Sequence, residues 1–173
     1  MSQYKDFLDM AEQRYSVRSY SNKPVEKEKL DRILRAGQVC PTAVNSQPQK
    51  IIVLQSPEAL EKATHVTRFT FGAPVILLIC SDKSRAYTMP DGQYMGTVDA
   101  TISVTHMMLE ACAEGLGTCW VRGFDMNDVI REFNLPENLR PEAMLPLGYP
   151  SDTAKPSPKH SENLPIDQMV SYL

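Results

Sequence analysis

Two short segments concentrate the side chains of this chain that can do chemistry. Arg14-Tyr15-Ser16-Val17-Arg18 sets two guanidinium groups four residues apart with hydroxyls between them. Pro41-Thr42-Ala43-Val44-Asn45-Ser46-Gln47-Pro48 places small residues and two amides between prolines. Arginine offers planar, charge-assisted donors that suit a phosphate or a polarised carbonyl. Asn45 and Gln47 each donate and accept, as reading the edge of a uracil-like ring requires. Thr42 and Ala43 are small enough for a backbone to approach a flat ring. Lying either side of one helix, the segments read as two walls of a site for an anionic, planar ligand. Plainer readings stand beside this one: cations at a helix C-terminus complement the helix dipole, and Asn45 serves well in a capped loop.

Little else competes. No G-x-G-x-x-G follows a strand, and there is no Walker A lysine, G-x-S-x-G elbow or H-E-x-x-H. Carboxylates are scattered without an acid/base pair, so no catalytic side chain is assigned. His65, His106 and His160 lack metal-ligand spacing, and no metal site is expected. Cys40, Cys80, Cys112 and Cys119 form no C-x-x-C pair and read as free thiols of a reducing compartment.

The elements that must position these groups follow from pattern. Tyr4, Phe7, Leu8 and Ala11 predict a helix over about 3–13, and Arg14 to Ser21 reads as a polar connection. Pro24-Val25-Glu26 opens a second helix, packed through Leu30, Ile33, Leu34 and Gly37 and ended by Pro41. A strand over 50–55 and a helix over 57–66 come next. Pro74 to Cys80 is apolar throughout and predicts a central strand covered on both faces. A long helix runs from about Gly92 to Glu114, with Val98, Ile102, Thr105, Met108, Leu109 and Cys112 as its buried stripe. It is nearly apolar all round, which suits a core or a subunit interface. Gly115-Leu116-Gly117 stops it. A strand over 118–121, a helix over 126–133 and a strand over 143–147 complete the order. Strands interleaved with helices indicate α/β or α+β layers around one sheet.

At 173 residues the chain is sized for a single domain. Its net charge of -3 argues against nucleic-acid or anionic-membrane binding. No apolar run approaches the ~20 residues of a spanning helix, and no signal-peptide core follows Met1, so a cytoplasmic protein is expected. From about residue 150 to 173 the chain is polar and proline-rich, ending in Ile166, Met169, Val170, Tyr172 and Leu173. Such a tail either wraps over a partner subunit or stays disordered.

The order Arg14–Arg18, Pro41–Pro48, Gly115-Leu116-Gly117-Thr118-Cys119-Trp120 and Leu147-Gly148-Tyr149-Pro150 resembles the nitroreductase family, essentially from end to end. The resemblance implies an α+β fold: a central, mainly antiparallel sheet flanked by helices, in an intertwined homodimer. It implies FMN at the subunit interface and NADH or NADPH as co-substrate. A hydride would pass through flavin N5 to a nitroaromatic, quinone or related small-molecule acceptor by a ping-pong mechanism. A non-catalytic, flavin-handling protein of the same fold is the alternative. By position, Arg14, Tyr15, Ser16 and Arg18 would hold the flavin phosphate, ribityl chain or pyrimidine edge. Pro41, Thr42, Ala43, Asn45 and Gln47 would come from the other subunit. Cys119, Trp120, Val121, Arg122 and Gly123 would lie beside the isoalloxazine. Relatives often carry a basic residue two before the tail proline; Asn163 stands there, so Lys159 is the substitute, with Lys155 behind it.

Overall fold

A computed structural model describes residues 4–173. Its elements are α1 (Phe7–Gln13), α2 (Lys27–Val39), β1 (Gln49–Leu54), α3 (Pro57–Val66), β2 (Val75–Asp82), α4 (Gly96–Ala113), β3 (Gly117–Thr118), α5 (Met126–Glu132), β4 (Leu139–Gly148) and α6 (Ile166–Met169). Short 3-10 turns lie at Ala43–Asn45 and Pro158–Ser161. The strands form one antiparallel sheet in the order β1-β2-β4-β3, giving the α+β architecture.

β2 is buried along nearly its whole length, because its side chains alternate between two cores. Val75, Leu77 and Ile79 join Ile33 of α2 and Ala100, Val104, Met107 and Ala111 of α4 on one face. Ile76, Leu78 and Cys80 join Ala63 of α3, Val129 of α5 and Cys119 and Val121 on the other. Burying each large aliphatic side chain contributes about 1.5–3 kcal/mol, so this strand anchors both layers.

Five expectations need correction. α1 is shorter than the 3–13 pattern: Asp6 caps it by accepting from Asp9 N at 2.9 Å, and residues 1–3 lie outside the described residues. The stretch after it is not a mere polar connection. Val17 is buried, its N–H donates to Thr118 O at 2.9 Å, and Ser16 bridges Thr118 in parallel, so the segment extends the sheet.

α4 begins at Gly96 rather than Gly92, because Thr88 and Tyr94 pair across a turn in which Gly92 has φ 89. Its buried face is also not the predicted stripe: Gly96, Asp99, Ala100, Ser103, Val104, Met107, Ala111 and Cys112 are buried. Small residues let the helix approach the sheet and α2 closely. Of the predicted set only Cys112 is buried, while Val98 and Thr105 are exposed and Ile102, Met108 and Leu109 half-buried.

β4 is longer than 143–147 and contains Pro141 and Pro146. The ladder passes from Ala143 opposite Ile79 to Pro141 opposite Cys80, leaving Glu142 as a bulged residue. Its buried carboxylate accepts from Ser81 Oγ at 2.6 Å. Among the described residues no helix is long and apolar enough to cross a membrane.

Candidate flavin-type site

The Arg14–Arg18 segment is positioned by its apolar member. An extended chain alternates its faces, so with Val17 in the core, Arg14, Ser16 and Arg18 share the opposite side. Arg14 N–H closes α1 by donating to Met10 O at 2.9 Å. Arg18 Nη1 donates to Ser16 O at 3.2 Å. The tail then returns: His160 lies edge-on to Tyr15, with ring centroids 6.3 Å apart, and its Nε2 is 3.1 Å from Glu12 O. Ser157 caps the 3-10 turn by accepting from Lys159 N.

The result is a cavity of about 260 Å³ lined by Arg14, Tyr15, Ser16, Arg18, Ser157, Lys159 and His160. Arg14, Arg18 and Lys159 form no salt bridge among the described residues, and Arg14 Nη1 is buried without a hydrogen-bond partner. A concentration of cations with no acid of its own is built for an anion.

Arg18 also borders a second cavity of about 210 Å³, lined by Phe69, Phe71, Cys119, Trp120, Val121, Arg122 and Gly123. Cys119 N and Val121 N donate to Pro146 O and Met144 O of β4. The alternate amides of Trp120 and Arg122 therefore point away from the ladder. Burial pushes the Cys119 thiol up, against the opposing pull of Arg18, Ser16 and Arg14; it is a packed, neutral group. Thr67 Oγ1 donates to Gly123 O at 2.8 Å and ties the aromatic segment to this wall.

The structure thus brings together Arg14, Tyr15, Ser16, Arg18 and Lys159, and beside them Cys119 through Gly123. Lys155 and Asn163 do not line the cationic cavity. Pro41, Thr42, Ala43, Asn45 and Gln47 line neither cavity. Ala43 N donates to Asp99 Oδ1 in the first turn of α4, whereas Val17 packs at Thr118, beyond its last turn. The helix rise between Asp99 and Cys112 alone separates them by about 20 Å. Sequence reasoning missed Phe69, Phe71, Ser157 and His160. The aromatic pair in Arg68-Phe69-Thr70-Phe71-Gly72 was the available signal.

No group of three or more His, Cys, Asp or Glu among the described residues is placed to hold a metal ion. All four cysteines are free and buried.

Comparison with known proteins gives the same architecture. The model of the Nitroreductase family matches residues 11–68 and 61–149. The crystal structure of a nitroreductase family protein from Clostridium difficile 630 superposes with a TM-score of 0.91 at 37% identity, covering 96% of this chain and 98% of that one. The FMN reductase [NAD(P)H] of Bacillus subtilis is 30% identical over 178 residues, covering 91% of this chain and 71% of its own length. A structure from Exiguobacterium sibiricum, determined in complex with FMN, shares the fold at a TM-score of 0.80 and 20% identity, each chain covered in full. By sequence and by fold alike, this chain belongs to the nitroreductase family.

Proposed function

We propose that the protein is an FMN-dependent oxidoreductase that draws on NADH or NADPH and reduces a nitroaromatic, quinone or related acceptor. The observation that carries this reading is Arg18, which stands between a cationic cavity and an aromatic, amide-lined one. A ligand with a phosphate at one end and a flat ring at the other fits that division. Its kinship with the FMN reductase [NAD(P)H] of Bacillus subtilis supports the same cofactor and reductant.

The residues fit the cofactor on their own chemistry. Arg14, with its orphaned Nη1, Arg18 and Lys159 supply cationic donors for a phosphate dianion, and Ser16 and Ser157 add hydroxyls. Trp120 and Arg122 line the second cavity, and their amides have no acceptor among the described residues, so a ring there would offer one. FMN, when bound, would supply the hydride and electron transfer between NAD(P)H and the acceptor. The protein binds, orients and sets a positive field beside the ring. No side chain need serve as acid or base.

A second protomer completes the site in this reading. Pro41, Thr42, Ala43, Asn45 and Gln47 lie far from the Arg14–Arg18 segment of their own chain and face the site of the other. The outward face of α4 supports such pairing. Val98 is exposed, and the hydroxyls of Thr101 and Thr105 donate back to Thr97 O and Thr101 O, which hides their polarity. Leu164, Ile166, Met169 and Tyr172 of the tail are exposed apolar groups suited to the same partner.

Purification followed by an FMN soak tests the reading. A yellow protein that oxidises NADH or NADPH with a nitroaromatic or quinone is the expected result. A protein that takes up no flavin absorbance overturns it. Flavin uptake without turnover on any acceptor leaves a flavin-binding protein and overturns the enzymatic part.

A further inference from the structure

We infer that Asp99 is a positioning residue that locks the loop from Pro41 to Gln47 in the conformation that presents Asn45 and Gln47. This rests on the flavin reading only for the identity of what is presented.

Asp99 is 1% exposed. Oδ1 accepts from Ala43 N at 2.8 Å, while Oδ2 has no partner among the described residues. Burying a carboxylate in this way is costly, and nothing in the packing of α4 on the sheet requires one. What it gains is a grip on the middle of the loop.

The loop needs that grip. Val44, Asn45 and Gln47 have φ of 48, 55 and 48, a region that is strained for a β-branched residue above all. Val44 is 73% exposed, so packing does not offset its strain. Hydrogen bonds hold it instead: Gln47 N donates to Thr42 Oγ1, Asn45 N to Thr42 O, and Ser46 N to Ala43 O. The loop ends are tied at one carbonyl, since Gly37 O accepts from Cys40 Sγ, Gln49 Nε2 and Ser103 Oγ. Ser103 lies one turn beyond Asp99, so one face of α4 holds both the end of α2 and the loop that follows. A Cβ on Gly37 would lie 3.0 Å from Ser103 Oγ and 2.9 Å from Met107, which fixes how closely the helices cross.

The held conformation has a chemical consequence. Gln47 Nε2 donates to Asn45 Oδ1 at 3.1 Å. The paired amides keep Asn45 Nδ2 as a donor and Gln47 Oε1 as an acceptor, side by side. Such a pair matches the alternating carbonyl and N–H edge of an imide ring.

The test compares Asp99→Ala with Asp99→Asn, whose amide oxygen still accepts from Ala43. Asp99→Ser, too short to reach, replaces the alanine variant if that one does not fold. FMN affinity is titrated by fluorescence, amide exchange is followed at Ala43 to Gln47, and the melting of the apo dimer is recorded. Asp99→Ala is expected to bind FMN about tenfold more weakly, the loss of one charge-assisted bond, with faster exchange confined to the loop. Asp99→Asn is expected to recover most of both. Wild-type affinity and exchange in Asp99→Ala overturn the inference. So does a drop in melting temperature shared by both variants with no selective change in the loop. If the wild-type protein binds no FMN, the flavin reading fails, and exchange at Ala43 still decides the role of Asp99.

Discussion

Val17 and Gly117 touch so closely that a Cβ on Gly117 would lie 2.8 Å from Val17 Cβ and nearer still to its Cγ2. This contact sets the depth at which the Arg14–Arg18 segment lies on the sheet edge. Gly117→Ala is expected to push that segment outward, costing about 1–3 kcal/mol of stability and weakening FMN binding with it. Val17→Ala removes the nearer Cγ2 contact but keeps the Cβ at 2.8 Å, so the double variant should recover part of the affinity lost in Gly117→Ala alone. Thermal melts and flavin titration of the three variants check this; additive losses in the double variant would contradict it.

Arg18 and Arg68 separate the site from its surroundings. Arg18 borders both cavities, while Arg68 stacks on Phe69 with its guanidinium carbon 4.9 Å from the ring centroid. Arg18→Ala is expected to lower FMN affinity about tenfold or more, as for a lost hydrogen bond to a charged group. Arg68→Ala should leave it nearly unchanged. Equal losses would place the phosphate elsewhere.

Much of this was legible in the residues. β2 announced itself through an unbroken apolar run, and Pro57 marked the start of α3 at the residue where it lies. The stop of α4 was equally plain at Gly115, which has φ 75. What failed did so for physical reasons. α4 is nearly apolar all round, so periodicity alone gave little preference between the face on the sheet and the face turned outward. Val17 is a single buried residue in a polar stretch, too short to show a period. The strand over 143–147 stopped short of its true start because Pro141 has no N–H to give the ladder, and only the bulge at Glu142 accommodates it. Arg14 to Arg18 stood out by charge, but Phe69 and Phe71 come to Trp120 only through tertiary packing.

Lys159 lines a cavity whose other cations are Arg14 and Arg18, and it is the second residue of the turn Pro158–Ser161, docked by His160 on Glu12. If it meets the phosphate, the consequence is selective. Lys159→Ala is expected to weaken FMN several-fold, on the order of 1 kcal/mol, and to leave riboflavin binding unchanged, because riboflavin has no phosphate. Paired titrations with the two flavins check it, and a loss common to both would move Lys159 away from the phosphate.

The exposed end of the chain carries a prediction about assembly. Leu164, Ile166 and Met169 are 70%, 67% and 68% exposed in the single chain. Covering each on a partner would contribute up to about 1.5–3 kcal/mol. Removing residues 164–173 is expected to shift sedimentation toward monomer and to abolish FMN uptake. A truncated chain that remains dimeric and yellow would show that the tail is dispensable to the site.

Cys80 gives a pH dependence whose sign is fixed by burial. The thiol is fully buried in the sheet, and burial first, with Glu142 second, pushes it from an ordinary 9.0 to about 12. The folded protein therefore holds this proton between pH 9 and 12 while the unfolded chain releases it. The unfolded state binds fewer protons in that window, so stability falls as pH rises, by up to about 1.4 kcal/mol per unit from this group. Below pH 9 both states keep the proton and the contribution is complete. Urea unfolding of the wild type and Cys80→Ala at pH 8 and above separates the thiol from other titrating groups. The alanine variant loses packing by a constant amount at every pH, so the difference between the two curves should shrink on the alkaline side. Parallel curves would mean that Cys80 titrates alike in both states, and that the sheet around Glu142 admits solvent.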